Sequence, residues 1–338
     1  MKVYNVGIIG CGAIFRRHYE AISNNKKYNL VAVCDIQPTL AKNIAKKYGV
    51  KYYTDYKKMV QSKDIDFVTI ATPNSLHYEQ SIYCLKNKCD ILVEKPVAFT
   101  EREVKDIIEV SKKYKQSAYC VLQVRLNPTV LLIKEVLGKN LLGTTRGVSF
   151  VQRWQRPLEY FTGWRAIPEV GGGTLYECGI HYLDIVQYLF GKPEVISTKT
   201  YETKHNVGIE DTIYSIFDYG YFGGTCEVTI SSEPKNLECS LSILGSNGYV
   251  KLGGKALNII ESADFLSHGA QVQFDVLRKK YYIENEPNNY GSYQGSCPNH
   301  PFVYKNLNEF KMQETLNVIS LIDNIYEKGG KQYRRVEW

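Results

Sequence analysis

Short, nearly continuous apolar segments alternate with amphipathic stretches of helical length over the first 122 residues, and this alternation constrains the fold most. Such apolar runs are typical of strands buried on both faces of a parallel sheet. With right-handed crossovers, the βαβα order predicts a doubly wound α/β sheet. Thr100 and Glu103 have the spacing of a capping box at the start of one helix. The predicted strands are Val6–Ile9, Leu30–Cys34, Phe67–Ala71, Ile91–Val93 and Ala118–Leu122, and the predicted helices are Leu40–Tyr48, Leu76–Lys86 and Thr100–Tyr114.

Beyond Gln123 the segments become longer, and apolar residues alternate with polar ones. This alternation is typical of antiparallel strands that pack one face on a core. A helix opened by Asn127–Pro128 precedes them and runs through Leu137. We expect a second helix from about Gly173 to Phe190, and a last helix at about 302–327. The predicted strands are Arg146–Gln155, Val195–Thr203, Thr212–Asp218, Gly223–Ser231, Cys239–Leu244 and Tyr249–Leu252.

These patterns predict two domains. We expect an α/β N-terminal Rossmann domain over residues 1–122 and, over residues 123–338, an α+β C-terminal domain with a large, mostly antiparallel open sheet. An open sheet face with alternating apolar residues would be buried against a second copy of the chain, which predicts a homodimer or homotetramer.

Composition excludes several classes of protein. No apolar run approaches the roughly 18 to 20 residues of a membrane span, and the first residues do not resemble a signal peptide, so we expect a cytoplasmic protein. The nine scattered cysteines form no CxxC pair, which predicts reduced thiols and no metal site. The net charge of +7 lies mostly in dispersed lysine pairs, without a nucleic-acid-binding motif. A general attraction for anionic substrates, such as nucleotide sugars, is the alternative reading of that charge.

A dinucleotide site is predicted directly after the first strand. Gly10 and Gly12 permit a tight turn and close approach of a pyrophosphate to a helix N-terminus. Phe15 replaces the third glycine of the usual pattern, so an ordinary turn is the alternative. Asp35 ends the second strand, near the spacing of an acid that binds the adenosine ribose. No arginine follows it to accept a 2′-phosphate, which favours NAD over NADP. The other candidate contacts here are Ala13, Ile14 and Ile36.

Three further segments, in this order along the chain, resemble the glucose–fructose oxidoreductase and inositol dehydrogenase (GFO/IDH/MocA) family. They are Thr72-Pro73-Asn74-Ser75-Leu76-His77, Glu94-Lys95-Pro96, and the glycine-rich stretch from Gly171 to Asp184. The resemblance implies a Rossmann domain, a sheet-based second domain, and dimers or tetramers built through that sheet.

A closer likeness is carried by Gln123–Pro128, Tyr290–Ser296 and Pro298–His300, which resemble a branch that includes UDP-N-acetylglucosaminuronate 3-dehydrogenases. The branch implies NAD-dependent oxidation at C3 of a UDP-linked N-acetylhexosaminuronate for surface polysaccharides, with 2-oxoglutarate as a hydride acceptor. The alternatives are a free sugar or inositol dehydrogenase, a ketosugar reductase, a non-catalytic NAD-binding sensor, and a glycosidase that uses transient oxidation.

The chemistry expected at the strand ends agrees with that resemblance. Lys95 lies where ligands bind in open α/β sheets, and a lysine there can hydrogen-bond a reacting hydroxyl. Glu177 and His181 are four residues apart and share one helix face, with Asp184 nearly in line. By resemblance Lys95 and His181 are the catalytic pair. We assign His181 as the general base, and the reverse assignment stays open. Many family members have aspartate where this chain has Glu177.

The remaining candidates follow from the same resemblance and from side-chain chemistry. A planar guanidinium such as that of Arg125 suits a carboxylate or diphosphate. Trp164 and Arg165 match a family position near cofactor and substrate. The cofactor-side candidates are Thr72, Pro73, Asn74, His77, Glu94, Lys95, Gln123, Trp164 and Arg165, and the substrate-side candidates are Lys95, Arg125, Asn127, Arg165, Glu177, His181, Asn299, His300 and Tyr304.

Overall fold

In a computed structural model, the described residues are 3–281, 286–287, 289–290 and 293–333. The first half forms a six-stranded sheet in the order β3-β2-β1-β4-β5-β6, and every pair in it is parallel. The carboxyl ends of these strands therefore meet at one edge of the sheet. The strands are β1 (Tyr4–Ile9), β2 (Tyr28–Cys34), β3 (Lys51–Tyr53), β4 (Phe67–Ile70), β5 (Asp90–Val93) and β6 (Ala118–Cys120).

Five helices connect these strands. They are α1 (Phe15–Ser23), α2 (Pro38–Tyr48), α3 (Tyr56–Gln61), α4 (His77–Lys86) and α5 (Glu101–Tyr114). Thr100 caps α5, as predicted, because its hydroxyl accepts a hydrogen bond from the backbone N–H of Glu103 at 3.2 Å. The Glu103 carboxylate accepts from the N–H of Phe99 at 3.1 Å, one residue before the expected partner.

The second half forms a seven-stranded sheet in the order β13-β12-β11-β7-β10-β9-β8. All its pairs are antiparallel except β7 with β10. The predicted fold class is confirmed. The strands are β7 (Thr145–Arg153), β8 (Glu194–Tyr201), β9 (Thr212–Asp218), β10 (Gly223–Thr229), β11 (Glu238–Gly245), β12 (Gly248–Gly253) and β13 (Ile259–Phe265), and the two-residue strands β14 (Asn289–Tyr290) and β15 (Tyr293–Gln294) pair separately.

Helices cover one face of this second sheet. Tyr182 packs its ring against Phe150 and Trp154, which fixes the helix that carries it on β7. The opposite face leaves apolar side chains such as Tyr214 and Ile216 exposed. The remaining helices are α6 (Pro128–Gly138), α7 (Pro168–Gly171), α8 (Ile180–Phe190), α9 (His268–Tyr281), α10 (His300–Lys305) and α11 (Leu316–Lys328). None of the described helices combines the length and apolar character needed to cross a bilayer.

The prediction of one last helix at 302–327 is wrong. Two helices, α10 and α11, occupy that range with short 3-10 turns between them. The chain leaves α10 at Asn306 so that residues 310–311 can pair with the edge of the first sheet. The carbonyl of Phe310 accepts from the N–H of Cys120 at 2.9 Å, and Lys311 forms a bridge with Tyr119. Pairing of this edge strand outweighs continued helix in this segment.

The structure also places the cysteines. All nine are free and buried, as expected for reduced thiols that act as small apolar side chains. Burial raises the pKa of several, among them Cys11 and Cys34, each to about 12.

Candidate active site

The turn after β1 has the geometry that a bound dinucleotide requires. Gly10 has φ of +100°, and a side chain there would overlap the carbonyl of Ala71. A Cβ on Gly12 would meet no atom within 4 Å, so this part of the turn is open. Ala13 is exposed and Ile14 caps the start of α1. The open turn at a helix N-terminus suits a pyrophosphate.

Phe15 does not obstruct this turn. Its side chain is 2 % exposed and points beneath α1, where it packs against Tyr19 and Tyr48. The missing third glycine is thus accommodated by packing between α1 and α2.

Asp35 lies beside the turn, as predicted for a ribose ligand. Its two carboxylate oxygens accept hydrogen bonds from the N–H groups of Cys11 and Gln37, each at 2.9 Å. Each oxygen keeps a second lone pair for a ribose hydroxyl. Ile36 is 86 % exposed beside it and leaves an apolar surface for an adenine ring. These residues fit NAD.

The loops after β4 and β5 are joined by His77. Its ring nitrogens lie 2.6 Å from the carbonyl oxygen of Pro96 and 2.9 Å from that of Thr72. The ring is 1 % exposed, so the structure places it behind the loops that would contact a cofactor, where sequence reasoning had it in contact. The hydroxyl of Thr72 donates to Gln80 at 2.7 Å. Pro73 leads into the short helical turn that positions Asn74.

Lys95 is held by the backbone of the glycine-rich segment. Its Nζ donates to the carbonyl oxygen of Glu177 at 2.8 Å. Residues Leu175–Gly179 form a π-helical turn before α8, and such turns are frequent at functional sites. The predicted helix from Gly173 to Phe190 is present, with this turn inside it.

The Glu177 carboxylate accepts three hydrogen bonds from other side chains. One carboxylate oxygen accepts from Asn74 at 2.6 Å, and the other accepts from Tyr160 at 2.9 Å and Arg165 at 3.0 Å. Burial raises the pKa of Glu177, but the charges of Lys95 and Arg165 and these hydrogen bonds outweigh burial and hold it below its usual range. Glu177 is therefore a buried anion at neutral pH.

His181 lies one turn after Glu177 and is neutral. Burial, followed by the charge of Lys95, lowers its pKa to about 3 against an opposing effect of Glu94. Its Nε2 lies 3.5 Å from Nε2 of Gln123, which donates to Ser296 at 3.0 Å. Its Nδ1 is buried and has no hydrogen-bond partner among the described residues. An unprotonated imidazole beside Lys95 can accept a proton.

Asp184 does not relay a proton to His181. Its carboxylate forms a two-point ion pair with Arg125, at 2.7 and 2.6 Å, and also accepts from Gln187 at 2.9 Å. Arg125 is 3 % exposed and also reaches Glu314. The pair joins the segment after β6 to α8. Arg125 is thus occupied inside the protein, where the sequence predicted a substrate contact.

Four further candidates lie behind the site. Asn127 is fully buried and donates to the carbonyl of Ala256 at 2.9 Å, and Asn299 donates to Asn127 at 2.8 Å. His300 and Tyr304 contact buried groups of the Rossmann domain. Most of their polar atoms are used within the protein, although Nδ1 of His300 has no hydrogen-bond partner among the described residues.

A short segment between β7 and α7 closes the other side. Arg165 stacks over the rings of Tyr160 and Trp164, with centroid distances of 4.9 and 4.3 Å. Its side chain is 34 % exposed, so part of the guanidinium faces solvent. Trp164 is half-buried beside it.

Sequence reasoning missed Tyr160, His18 and Glu210. Tyr160 is one of 27 tyrosines, and no spacing distinguishes it. His18 lies near the start of α1, six residues after Gly12, and this closeness to the predicted cofactor turn could have marked it as a candidate. Of the Tyr290–Ser296 motif, Gly291 and Ser292 lie outside the described residues.

Comparison with known proteins identifies the family. Residues 4–122 match a profile described as "Oxidoreductase family, NAD-binding Rossmann fold", and residues 130–251 match the GFO/IDH/MocA C-terminal domain. The chain belongs to the GFO/IDH/MocA oxidoreductase family. The predicted family and the predicted NAD cofactor are confirmed, and the protein is an NAD-dependent oxidoreductase.

Several family members are similar over much of this chain. The WlbA dehydrogenase from Bordetella pertussis, solved with NADH and UDP-GlcNAcA, superposes with a TM-score of 0.87 at 26% identity and covers 100% of this chain and 99% of its own. A glucose-6-phosphate 3-dehydrogenase of Bacillus subtilis is 27% identical over 70% of this chain and 68% of its length. A D-glucoside 3-dehydrogenase of Escherichia coli is 29% identical over 58% of this chain and 56% of its length.

Proposed function

We propose that the protein oxidises a secondary hydroxyl of a UDP-linked sugar, at C3 of an N-acetylhexosaminuronate, and transfers the hydride to NAD. The observation that carries the proposal is the placement of Lys95 and His181 around Glu177: Lys95 Nζ donates to the Glu177 carbonyl at 2.8 Å, and His181 follows four residues later at the start of α8. Bound there, NAD would supply the hydride acceptor.

Residues of this chain can take up the proton that the substrate hydroxyl loses during oxidation. The neutral imidazole of His181 takes the hydroxyl proton as hydride leaves the carbon. Lys95 Nζ, oriented by the carbonyl of Glu177, donates a hydrogen bond to the reacting oxygen. Glu177 holds this geometry through Asn74, Tyr160 and Arg165.

The substrate class is supported by similarity over the full chain. The Bordetella pertussis dehydrogenase was solved with UDP-GlcNAcA, and this chain aligns with nearly all of it. Position 3 of the sugar is supported by the D-glucoside and glucose-6-phosphate 3-dehydrogenases.

A second candidate is a free or phosphorylated hexose. The ion pair between Arg165 and Glu177 at 3.0 Å favours it, since the charge of Arg165 is already balanced before any uronate carboxylate arrives. A neutral ring would meet less repulsion from Glu177.

The test is NAD reduction, followed by absorbance, with a substrate panel. The panel contains UDP-N-acetylglucosaminuronate, UDP-N-acetylglucosamine, a methyl glucoside, glucose 6-phosphate and inositol, each with and without 2-oxoglutarate. Reduction with the UDP-uronate alone supports the proposal, and a signal enhanced by 2-oxoglutarate supports that acid as hydride acceptor. Reduction only with free or phosphorylated sugars moves the assignment to the second candidate.

The position of oxidation is tested with substrate deuterated at C3. Transfer of deuterium to the nicotinamide, detected by mass spectrometry, supports C3. Unlabelled NADH from the same substrate contradicts it.

We also propose that the open face of the second sheet pairs with a second copy of the chain. A shallow cavity of about 470 Å³ lies on this face, and exposed Tyr214 and Ile216 line it. Exposed apolar side chains on one sheet face are typical of subunit contacts.

A further inference from the structure

A buried cluster of His18, Glu94 and His300 lies next to the proposed catalytic pair. One oxygen of the Glu94 carboxylate lies 3.0 Å from Nε2 of His18 and 3.1 Å from Nε2 of His300. The two histidines are 0 % and 1 % exposed. The second carboxylate oxygen accepts from the backbone N–H of Lys95 at 3.2 Å. The cluster therefore joins α1, the end of β5 and α10.

We propose that His18 and His300 are positioning residues for the dehydrogenase reaction. Together they hold the Glu94 carboxylate as a fixed anion beside Lys95 and His181. This inference rests on the proposed dehydrogenase chemistry of Lys95 and His181, and neither histidine is required to touch a reacting atom.

Because the ionised Glu94 carboxylate only accepts, Nε2 of each histidine must donate to it. The outer partners of His18 allow this direction. Its Nδ1 lies 3.1 Å from the hydroxyl of Tyr304, and that hydroxyl lies 2.8 Å from Thr69. If Tyr304 donates to Nδ1, the proton of His18 sits on Nε2 and points at Glu94. Both histidines can then donate to Glu94 through Nε2, and the anion keeps three N–H partners in a buried site.

The negative charge of Glu94 raises the pKa of His181, the proposed general base. Burial raises the pKa of Glu94, but the hydrogen bonds from His18 and His300 outweigh burial and keep it well below its usual range. The groups that act on His181 are Lys95 and His300, which lower its pKa, and Glu94, which raises it. Glu94 thus makes the imidazole a better proton acceptor than it would be beside Lys95 alone.

The position of His18 also links the cluster to the cofactor turn. His18 lies in the first turn of α1, whose N-terminus faces the predicted pyrophosphate. A shift of α1 on cofactor binding would move His18 against Glu94. Lys95 and the nucleotide turn are therefore connected through two hydrogen bonds.

The matched variants are His18→Gln and His18→Leu. Glutamine places an amide N–H near the position of Nε2, while leucine fills the space without a donor. We expect His18→Leu to lower kcat roughly 10- to 100-fold with little change in KM for the sugar, because misplacement by about 1 Å is enough. His18→Gln should recover most of the rate, and exposed His268→Leu should change nothing. Equal rates for His18→Leu and wild type, or equal losses with glutamine and leucine, overturn the proposal.

His300→Leu and His300→Gln repeat the test from the other side of Glu94, should His18→Leu fail to fold.

A second experiment, nitrogen NMR of the histidine rings, needs no substrate. With ¹⁵N-histidine labelling of the six histidines, we expect His18 and His300 as Nε2–H tautomers. Nδ1–H tautomers overturn the proposal even where the sugar panel is silent, so the two proposals fail separately. Three such ligands within 4.8 Å also suit a divalent ion, so a stoichiometric metal by mass spectrometry overturns it too.

Discussion

Gly10 and Gly12 stand two residues apart but are required for different reasons: Gly10 for the backbone turn and Gly12 for space beside the cofactor. Gly10 is confined by φ of +100° and by the carbonyl of Ala71, whereas Gly12 faces open space. We expect Gly10→Ala to lower the free energy of unfolding by about 1–3 kcal/mol. Gly12→Ala should leave that value unchanged and weaken NAD binding, because its methyl group meets the pyrophosphate. Urea unfolding and calorimetric NAD titration separate the two effects. Equal loss of stability in both variants contradicts this assignment.

Lys95 is the residue whose loss should separate binding from turnover. We expect Lys95→Met to lower kcat by roughly 10²- to 10⁴-fold, since the hydrogen bond to the reacting oxygen disappears. NAD affinity should fall far less than kcat, because the turn after β1 and Asp35 after β2 are expected to hold the pyrophosphate and ribose. Steady-state kinetics with the sugar identified by the panel measures the first quantity, and fluorescence titration measures the second. Unchanged turnover removes Lys95 from the mechanism.

Glu177 makes stability depend on pH. Its pKa is lower in the folded protein than in the unfolded chain, so it stabilises the fold above the unfolded value of about 4.3. That contribution is lost as pH falls through the folded pKa. We expect the free energy of unfolding of Glu177→Gln to depend less on pH than that of wild type below about pH 5. Denaturant titrations at pH 7 and pH 4 measure this, and parallel pH profiles contradict it.

At the level of elements, regular periodicity was predictable and local departures from it were not. Thr212–Asp218 has the predicted bounds, because strict alternation defines a strand with one buried face. The π turn at Leu175–Gly179, where the Glu177 carbonyl accepts from Lys95, was not predictable from the apolar pattern. The strand Ile259–Phe265 was missed because its burial alternates poorly. Sequence spacing aligned Asp184 with His181, but only tertiary structure pairs it with Arg125.

The helix that carries His181 is anchored by a buried carboxylate. Glu210 is 0 % exposed and accepts from the N–H of Thr174 at 2.9 Å, from Tyr326 at 2.8 Å and from Tyr333. We expect Tyr333→Phe to lower the free energy of unfolding by about 1–3 kcal/mol, since a buried anion loses a donor. Tyr221→Phe, at an exposed tyrosine, is the control. Equal stability of both variants in urea contradicts the anchoring role.

The proposed subunit contact is a property of the whole molecule. We expect wild-type protein to have a mass in light scattering of at least twice the 38.7 kDa of the chain. Ile216→Lys should give the mass of one chain, because it would bury a new, unpaired positive charge on a face that already carries Lys199. Val276→Lys, on the exposed side of α9, is the control. A wild-type mass of one chain contradicts the proposal.

The order of synthesis bears on the contact between Tyr333 and Glu210. The segments that form the first sheet leave the ribosome early, and His300, Tyr304 and residues 310–311, which pack on that sheet, follow late in synthesis. The helix that carries His181 lacks part of its anchor until late in synthesis, because Tyr333 emerges more than a hundred residues after Glu210. A translation product that stops before Lys331 would therefore bind cofactor before its catalytic helix is secured. Tags fused directly after residue 333 would crowd the same contact, which favours affinity tags at the other end of the chain.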